Sequence, residues 1–440
     1  MSSQNQSSQA EQDHELALAS MAPQAANYLV TKPALLNSPG VKLHDVYYSS
    51  INSTVEAAEV TFNTGRLVLT LGSLAFGSSN QVIVPNSSML GGVFLHLQMD
   101  LGSAANVTVP RGWGYAAIQS INYQLGSSNA NQQQITGQSL WHILDQQSGS
   151  EEKTSEVFRL GGQEYLTPQG VVSADVFLPF PWSTLCGREQ KLPFDTAMLN
   201  SPIYMTVTFN STSAFIGGSG IKPSTFTDAR IVCRQGDFYN KDMSLGPMIK
   251  RNSQLIYGYP FIHHQSFQST VISGTAGVPV SFTLQSILNA DLVGLSFGIL
   301  LQSDLNPSSG NAPNPFNYQN VTDITLTYNG QVMYFTPGGL DKLISTYLID
   351  GSPYFHNSLI APGNTAPFTS SPIDTYVRHI DFSRCRDACF GHEFANVWRI
   401  GNNVLNLEFK PVVSGNFITY VTYHYNGIAD IQNGESRILY

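Results

Sequence analysis

The chain has 440 residues, of which 42% are hydrophobic and only 12% are charged, and its formal net charge is −9 at pH 7. The acidic balance excludes the binding of a phosphate backbone as its main role, and the scarcity of charge excludes a long charged coiled coil. The hydrophobic fraction is large enough for sizeable cores, so we expect two or three domains, or two larger β domains.

The N-terminal residues 1–26 form a Gln-, Ser- and Ala-rich tail with few large apolar side chains. A segment of this composition is expected to be disordered, or ordered only by a partner. Because the first 31 residues contain no Lys or Arg, the basic start of a signal peptide is missing and no export signal is predicted. We therefore expect an intracellular protein with reduced thiols at its four cysteines, Cys186, Cys233, Cys385 and Cys389.

From about residue 40 onwards, apolar and polar residues alternate in short segments that are separated by Gly, Pro, Asn and Ser. This period of two residues is typical of half-buried β-strands. Helical periodicity is confined to short pieces within loops, at 139–147 and 340–348. The sequence therefore predicts a mainly β protein with short helices in its long loops. The clearest alternation covers residues 67–71, 203–209, 280–285, 324–328 and 417–425.

The most informative feature is an internal repeat. Three segments of the first half have similar counterparts in the second half, each 200 to 204 residues further along the chain. Each copy then closes with a further β segment, near Ile231 and near Ile418. Landmarks in one order at a nearly constant offset indicate a duplicated domain. Each copy has room for about eight strands in roughly 190 residues, which fits a jelly roll with long loops. The matched segments are LQMDL (97–101) with LQSDL (301–305), SINYQLG (120–126) with DITLTYNG (323–330), and NSPIYMTVTF (200–209) with NNVLNLEF (402–409).

The sequence contains no P-loop, dinucleotide fingerprint, nucleophile elbow or H-E-x-x-H motif. Two β-barrels in one chain raise the hypothesis of a bicupin enzyme, which needs a His-x-His pair and a downstream Glu as metal ligands. His96 stands alone in its segment, and Leu300 occupies the matching position in the second copy. Because this ligand set is missing, the sequence predicts neither an enzyme nor a cofactor.

Two other groups of polar side chains are explained without a ligand. The C-x3-C-x2-H spacing of Cys385, Cys389 and His392 is not that of a common structural zinc site, and a loop with free thiols is the favoured interpretation. His263 and His264 are adjacent in a predicted strand, so they face opposite sides and do not easily line one pocket. Structural or interface polarity is therefore favoured over catalysis for this pair.

Nucleic-acid binding is also disfavoured. Basic residues cluster near 241–251 and 378–399, but acidic residues are interleaved with them, which is typical of a solvated mixed-charge surface. The tail carries Glu11, Asp13 and Glu15 and no basic residue. It is therefore not a genome-packaging arm, and no sequence-specific contact with nucleic acid is expected.

Five stretches follow one another in a recognisable order, namely LPFPW (178–182), LPFD (192–195), NSPIYMTVTF (200–209), YGYPF (257–261) and TYNGQVMY (327–334). Their order makes the chain resemble the double jelly-roll major capsid proteins of icosahedral double-stranded DNA viruses. This lineage includes adenovirus-like hexons, tectiviruses, the nucleocytoplasmic large DNA viruses and Polinton-like elements. The resemblance covers roughly residues 40–435, without the very long tower loops of adenovirus hexons.

The resemblance implies two consecutive eight-stranded antiparallel jelly rolls, at 27–240 and 241–440, behind an N-terminal arm at 1–26. It implies a homotrimer that forms a pseudo-hexagonal tile and packs into a lattice of tiles in the virion shell, after assembly in the host nucleus or cytoplasm. The partners that it implies are further copies of the chain and penton proteins, together with minor capsid proteins or an internal membrane beneath the shell.

The resemblance also suggests contact residues. It places the DE loops at about 127–172 and 331–374, and the FG loops at about 181–200 and 384–402, as towers or inter-subunit contacts. The candidate loop contacts are Trp141, Trp182, Phe194, Tyr354, Phe355 and Trp398. The candidate arm contacts beneath the shell are Glu11, Asp13, Glu15, Leu16, Leu18 and Met21.

A carbohydrate-binding or spike-like β-sandwich protein is the alternative, because Tyr and Asn are frequent. The distribution of charge favours the capsid hypothesis. Between Arg251 and Asp341 the only charged residues are Asp291, Asp304 and Asp323. Since large obligate interfaces tolerate few unpaired charges, we predict that this region is sheet core and subunit interface.

Overall fold

A computed structural model gives the structure of most of the chain from residue 60 onwards. The residues that it describes are 60–87, 89–101, 107–110, 112–124, 132–147, 161–162, 165–167, 173–180, 196, 199–240, 243–244, 257–284, 291–307, 312–336, 376–381, 398–399, 404–432 and 435–439.

The first half contains two main sheets, with the strand orders β1-β13-β4-β9 and β3-β10-β6-β7, and β14 extends the first of them beside β13. Two small sheets have the orders β11-β5-β8 and β12-β2. The helices are α1 (Trp113–Ala116), α2 (Gly137–Gln147) and a 3-10 helix (Thr212–Ala214). The strands are β1 (Val60–Thr70), β2 (Leu74–Ala75), β3 (Ser79–Val84), β4 (Met89–Asp100), β5 (Val107–Val109), β6 (Ile118–Gln124), β7 (Gln132–Ile135), β8 (Tyr165–Thr167), β9 (Ser173–Phe180), β10 (Ile203–Phe209), β11 (Gly217–Gly218), β12 (Thr225–Phe226), β13 (Asp228–Asn240) and β14 (Met243–Ser244).

The second half repeats this arrangement with the sheets β15-β25-β18 and β17-β24-β20-β21. Strands β19, β22 and β23 pair with β18, and strands β16 and β26 pair with β25. One short helix, α3 (Gln302–Leu305), follows β18. The strands are β15 (Tyr257–Gln268), β16 (Ile272–Gly274), β17 (Val280–Leu284), β18 (Asp291–Leu301), β19 (Tyr318–Gln319), β20 (Val321–Tyr328), β21 (Gln331–Thr336), β22 (Arg378–Asp381), β23 (Trp398–Arg399), β24 (Leu405–Pro411), β25 (Gly415–Gln432) and β26 (Glu435–Leu439).

Each half is a jelly roll. Lettered B to I in chain order, the main strands are β1, β3, β4, β6, β7, β9, β10 and β13 in the first half, and β15, β17, β18, β20, β21, β22, β24 and β25 in the second. Both halves then have the sheets B-I-D-G and C-H-E-F, which is the strand order of a jelly roll. The predicted double jelly roll is therefore confirmed.

The repeat in the sequence reflects equivalent strands. LQMDL and LQSDL lie at the ends of the two D strands, β4 and β18. SINYQLG and DITLTYNG lie at the two E strands, β6 and β20, and the third pair ends in the two H strands, β10 and β24. The match extends to buried positions in the H strands, where Val207 and Phe209 correspond to Leu407 and Phe409. In the first pair it does not, because LQMDL ends β4 whereas most of LQSDL forms α3.

Alternating burial explains why these segments form strands. In β10, Ile203, Met205 and Val207 are buried, and the residues between them are only partly buried. Strand β24 repeats this pattern with Leu405 and Leu407. A strand that buries one face against a core requires this alternation.

The long loops differ from their predicted assignment. The segment after β7, which contains α2, joins strands F and G, and the segment after β9 joins strands G and H. The assignment of the loops at 127–172 and 331–374 to DE connections was therefore wrong, because each contains strand F. The assignment of 181–200 and 384–402 to FG connections was also wrong, because both segments lie between strands G and H. The helix predicted at 139–147 is confirmed as part of α2, whereas 340–348 lies outside the described residues. No helix in the described part of the chain has the length and apolar character of a membrane span.

The two jelly rolls share a buried junction. The core of the first half continues into side chains of the second, namely Leu300, Phe316, Tyr318 and Val377. A separate core fills the space between the two sheets of the second half. Cys233 is a free thiol buried in the first core, where burial raises its pKa to about 12.

Candidate functional sites on the outer faces of the two larger sheets

The two B-I-D-G sheets have equivalent outer faces in different surroundings. We call the outer face of β15-β25-β18-β22 the junction face and the outer face of β1-β13-β4-β9 the open face. A row of polar residues crosses the junction face, in which Ser266, Thr422, Ser296 and His379 lie opposite one another on neighbouring strands. Helix α2 of the first half lies over this row, because its Ser139, His142 and Asp145 side chains bond to it.

Two local features position α2. Thr136 caps the helix, because its Oγ1 accepts the backbone N–H of Ser139 at 3.2 Å. Gly137 packs against the backbone of the first half, and a Cβ built on it would lie 2.7 Å from the carbonyl oxygen of Ile118 and even closer to that of Tyr115. Only glycine fits this close approach, so α2 is held at its start by the jelly roll from which it comes.

Aromatic packing joins the two halves beside α2. The Trp141 ring stacks on Phe316 of the second half, with ring centroids 4.7 Å apart and planes inclined by 22°. Tyr115 meets Trp141 edge-on, with the centroids 5.2 Å apart. Only 3% of the Trp141 surface is exposed. The contact of Trp141 in the structure therefore lies between the two halves of one chain.

His142 is locked as a neutral imidazole. Its Nδ1 lies 3.0 Å from Thr422 Oγ1, and its Nε2 lies 3.1 Å from the Tyr318 hydroxyl. Because Thr422 donates its own proton to Ser139, His142 donates from Nδ1, and its Nε2 accepts from Tyr318. Burial lowers the pKa of His142 to about 3, and repulsion from His379 acts in the same direction.

A hydrogen-bonded network runs beside the bonds of His142. It leads from α2 across β22, β18 and β25 to β15. Asp145 Oδ2 lies 3.0 Å from His379 Nε2, and His379 Nδ1 lies 2.6 Å from Ser296 Oγ. Ser296 Oγ lies 2.8 Å from His424 Nε2, and His424 Nδ1 lies 2.9 Å from Nδ1 of His264. The side chains of Asp145 and His379 are 6% and 5% exposed, so this chain of groups is shielded from water.

His263 and His264 are both buried on adjacent positions of β15. His264 bonds to His424 on the junction face, whereas the ring of His263 lies 6.3 Å from that of Tyr425, which belongs to the second core. Burial lowers the pKa of His263 to about 4. The two histidines therefore face opposite sides of the strand, as expected: His264 lies on the junction face and His263 lies beside the second core.

The open face presents apolar side chains to solvent. Val68, Phe94 and Phe177 are 48%, 36% and 42% exposed. The imidazole of His96 stacks on Phe177 with the centroids 4.4 Å apart, and its Nε2 lies 3.1 Å from Asp175 Oδ1. A cluster of exposed aromatic and aliphatic side chains on one face of a sheet is typical of an interaction surface.

The other predicted contact residues are only partly located. The backbone of Trp398 lies in β23, where it pairs with Leu292 of β18. Trp182, Phe194, Tyr354 and Phe355 lie outside the described residues, as do all six predicted residues of the arm. Their contacts with partners stay predictions.

The cysteines and the histidine that were tested as a zinc pattern, Cys385, Cys389 and His392, also lie outside the described residues. Within the part of the chain that is described, no group of three or more His, Cys, Asp or Glu side chains is arranged to hold a metal ion. The junction residues Ser296, His379 and His424 were missed, and the available signal was the placement of polar residues at alternate positions of apolar strands.

No protein-family model and no curated protein matches this sequence. Several solved structures share its fold. The PBCV-1 VP54 structure that was fitted into a reconstruction of the virophage Sputnik superposes with a TM-score of 0.62 at 12% identity, over 88% of this chain and 99% of that one. The major capsid protein of Faustovirus superposes with a TM-score of 0.56 at 9% identity, over 93% and 98% of the two chains. At these identities, the likeness shows a common double jelly-roll fold.

Proposed function

We propose that the chain is a major capsid protein that assembles into homotrimers, and that these trimers tile the shell of an icosahedral double-stranded DNA virus. The fold supports this proposal, since the solved structures that share it over most of their length include the PBCV-1 virus capsid, with a TM-score of 0.62 at 11% identity. The proposed role is structural, without enzymatic activity or a cofactor, and its place is the virion shell.

The contrast between the two outer faces is the observation that carries the proposal. In the second jelly roll, the outer face is covered by α2, which belongs to the FG connection of the first. In the first jelly roll, the equivalent face leaves Phe94 and Phe177 exposed. A second copy can cover this open face with its own second half, as the halves of one chain already do at the junction.

Repetition of this contact gives a closed ring. Each copy contributes two jelly rolls of the same strand order, so three copies place six similar units around one axis. Heterologous contacts of this kind close when the rotation between copies is a third of a turn. The outline is pseudo-hexagonal, and a hexagonal tile packs edge to edge with its neighbours.

The position of the other segments in the chain suggests their roles in the shell. We propose an arm at 1–26, a first jelly roll at 27–240 and a second at 241–440. The arm lies beneath the shell and meets minor capsid proteins or an internal membrane, and penton proteins fill the vertices. The loops that follow β9 and β22 supply further contacts between copies.

The oligomeric state tests the proposal. Light scattering after size-exclusion chromatography of the full chain should give three times the mass of one chain, and negative-stain microscopy should show three-fold particles with a hexagonal outline. A chain that stays monomeric at every concentration and binds to a glycan array would instead support the carbohydrate-binding alternative.

A further inference from the structure

The hydrogen bonds that link Asp145 to His264 on the junction face all run in one direction when the three histidines of this network are neutral. The carboxylate of Asp145 can only accept, so His379 donates from Nε2 and its Nδ1 accepts the proton of Ser296. Ser296 Oγ then accepts Nε2–H of His424, and His424 Nδ1 accepts Nδ1–H of His264. The network itself assigns these tautomers, and every donor points towards Asp145.

The same heavy-atom positions accommodate one additional proton. When His379 carries protons on both nitrogens, it donates to Asp145 and to Ser296, and the Ser296 hydroxyl donates to Nε2 of His424. His424 then donates from Nδ1 to Nδ1 of His264, whose remaining proton lies on Nε2. All four bonds persist: His379 still donates to Asp145, the other three bonds reverse their direction, and the positive charge lies beside the carboxylate.

We propose that the junction is a proton-binding site, at which one proton per chain is held as the imidazolium of His379 against Asp145 and strengthens the contact between the two jelly rolls. Asp145 belongs to the first half and His379 to the second, so the ion pair spans the junction. The proposal concerns the single chain and does not rest on the capsid role.

The proton has a balanced route into this site. A proton that binds Nε2 of His264 releases the Nδ1 proton of that ring to His424, and His424 releases its Nε2 proton to Ser296. Ser296 in turn passes its hydroxyl proton to Nδ1 of His379. His264, His424 and Ser296 each gain one proton and lose one, whereas His379 gains one and keeps it. The charge therefore moves from His264 to His379 without a rearrangement of side chains.

The surroundings select His379 as the resting place of the charge. A carboxylate at 3.0 Å favours an imidazolium, and among the junction histidines of the described chain this contact belongs to His379. Burial lowers the pKa of His264 well below its ordinary value, with repulsion from His424 and His263 adding to the effect.

Among the described residues, the other groups that face this pair do not compete for the proton. From α2 the facing group is His142, which is locked neutral, and behind it stands the Tyr318 hydroxyl of β19. Within β22 itself, Arg378 donates to Asn320 Oδ1 at 2.6 Å. Its guanidinium lies over the Tyr376 ring, 5.7 Å from the centroid.

The pH dependence of stability tests the proposal. A proton held more tightly by the folded chain stabilises it below the unfolded pKa of histidine, and this contribution is lost as the pH rises through the folded value. Denaturant unfolding of the full chain and of the Asp145→Asn variant is compared between about pH 7 and pH 9. The advantage of the wild type in the unfolding equilibrium constant should shrink about tenfold across this range. A difference that is constant with pH overturns the proposal.

Two further variants separate proton binding from simple destabilisation. His379→Gln removes the proton site and should lose the same pH-dependent contribution as Asp145→Asn. His142→Gln removes two buried hydrogen bonds beside the site, so it should be less stable by a constant factor with the wild-type pH dependence. If His379→Gln does not fold, Asp145→Asn decides, because the amide oxygen still accepts from His379. A wild-type pH dependence in Asp145→Asn contradicts the proposal.

Discussion

Burial of neutral histidines makes the fold sensitive to acid. The pKa is lowered to about 4 in His263 and to about 3 in His142, in both cases first by desolvation. A depressed folded pKa contributes stability that is complete above the unfolded value of about 6.5 and is lost as the pH falls through the folded value. We expect the free energy of unfolding to fall steadily from about pH 6.5 to about pH 4. Denaturant titrations at several pH values measure this loss.

A matched pair of variants assigns the acid sensitivity. His263→Gln should remove about 3 kcal/mol of the loss between the same pH limits, because a glutamine has no proton to take up. Gln268→Asn, at an exposed position of the same strand, adds and removes no titratable group and should leave the loss unchanged. Equal acid sensitivity of the wild type and His263→Gln would assign the effect to other groups.

At the scale of single elements, α2 shows how one glycine holds a helix in place. Alanine normally stabilises a helix by about 1 kcal/mol relative to glycine. Gly137→Ala should instead destabilise the chain by about 1–3 kcal/mol, because the new Cβ meets the backbone carbonyl oxygens of Tyr115 and Ile118. Thermal unfolding measures the change. Gln138→Ala, one position further along the same helix, is the control and should be close to neutral. A stabilised Gly137→Ala variant would show that the helix start can move away from the first jelly roll.

The strands and α2 were predictable, but the place where α2 docks was not. Alternation in segments such as 203–209 reflects burial within one sheet, and the repeat reflects equivalent strands, so both signals are local or periodic. The bond from Asp145 to His379 joins residues 234 positions apart. It depends on how two folded halves pack, and no spacing in the sequence encodes that geometry. His263 and His264 show the same limit, because alternation predicted their opposite directions but not the two elements that bury them.

At the scale of the whole molecule, the open face predicts which substitutions block assembly. Phe177→Asp places a charge in the centre of the exposed patch, and a central aromatic of an interface typically contributes about 2 kcal/mol or more to association. We expect a folded chain whose trimer affinity falls at least about tenfold. Light scattering over a dilution series measures this affinity. Ile221→Asp is the control, since Ile221 is 88% exposed in the loop between β11 and β12, which are strands of the two small sheets and not of the open face. An unchanged trimer in Phe177→Asp would exclude this face from the interface.

The segment with few charges, 252–340, packs within the chain itself where it is described. It was predicted to be sheet core and subunit interface, and β18, near its centre, packs against α2 of the same chain. Its acidic residues are also paired where their side chains are described. Asp323 contacts Lys410 at 2.7 Å, and Asp304 accepts hydrogen bonds from Asn317 and Gln319. The lack of charge in this segment is therefore explained by contact within one chain.

Hydrogen exchange can separate these two kinds of contact. Because α2 already covers the junction face, amides of β18 (Asp291–Leu301) should be protected in the dissociated chain and gain little on assembly. Amides of β9 (Ser173–Phe180) lie at the edge of the open sheet, so they should gain protection when a second copy covers that face. Exchange of the assembled and the dissociated protein, followed by mass spectrometry, compares the two strands directly. A gain in β18 with none in β9 would place the subunit interface on the second jelly roll and contradict the proposed use of the open face.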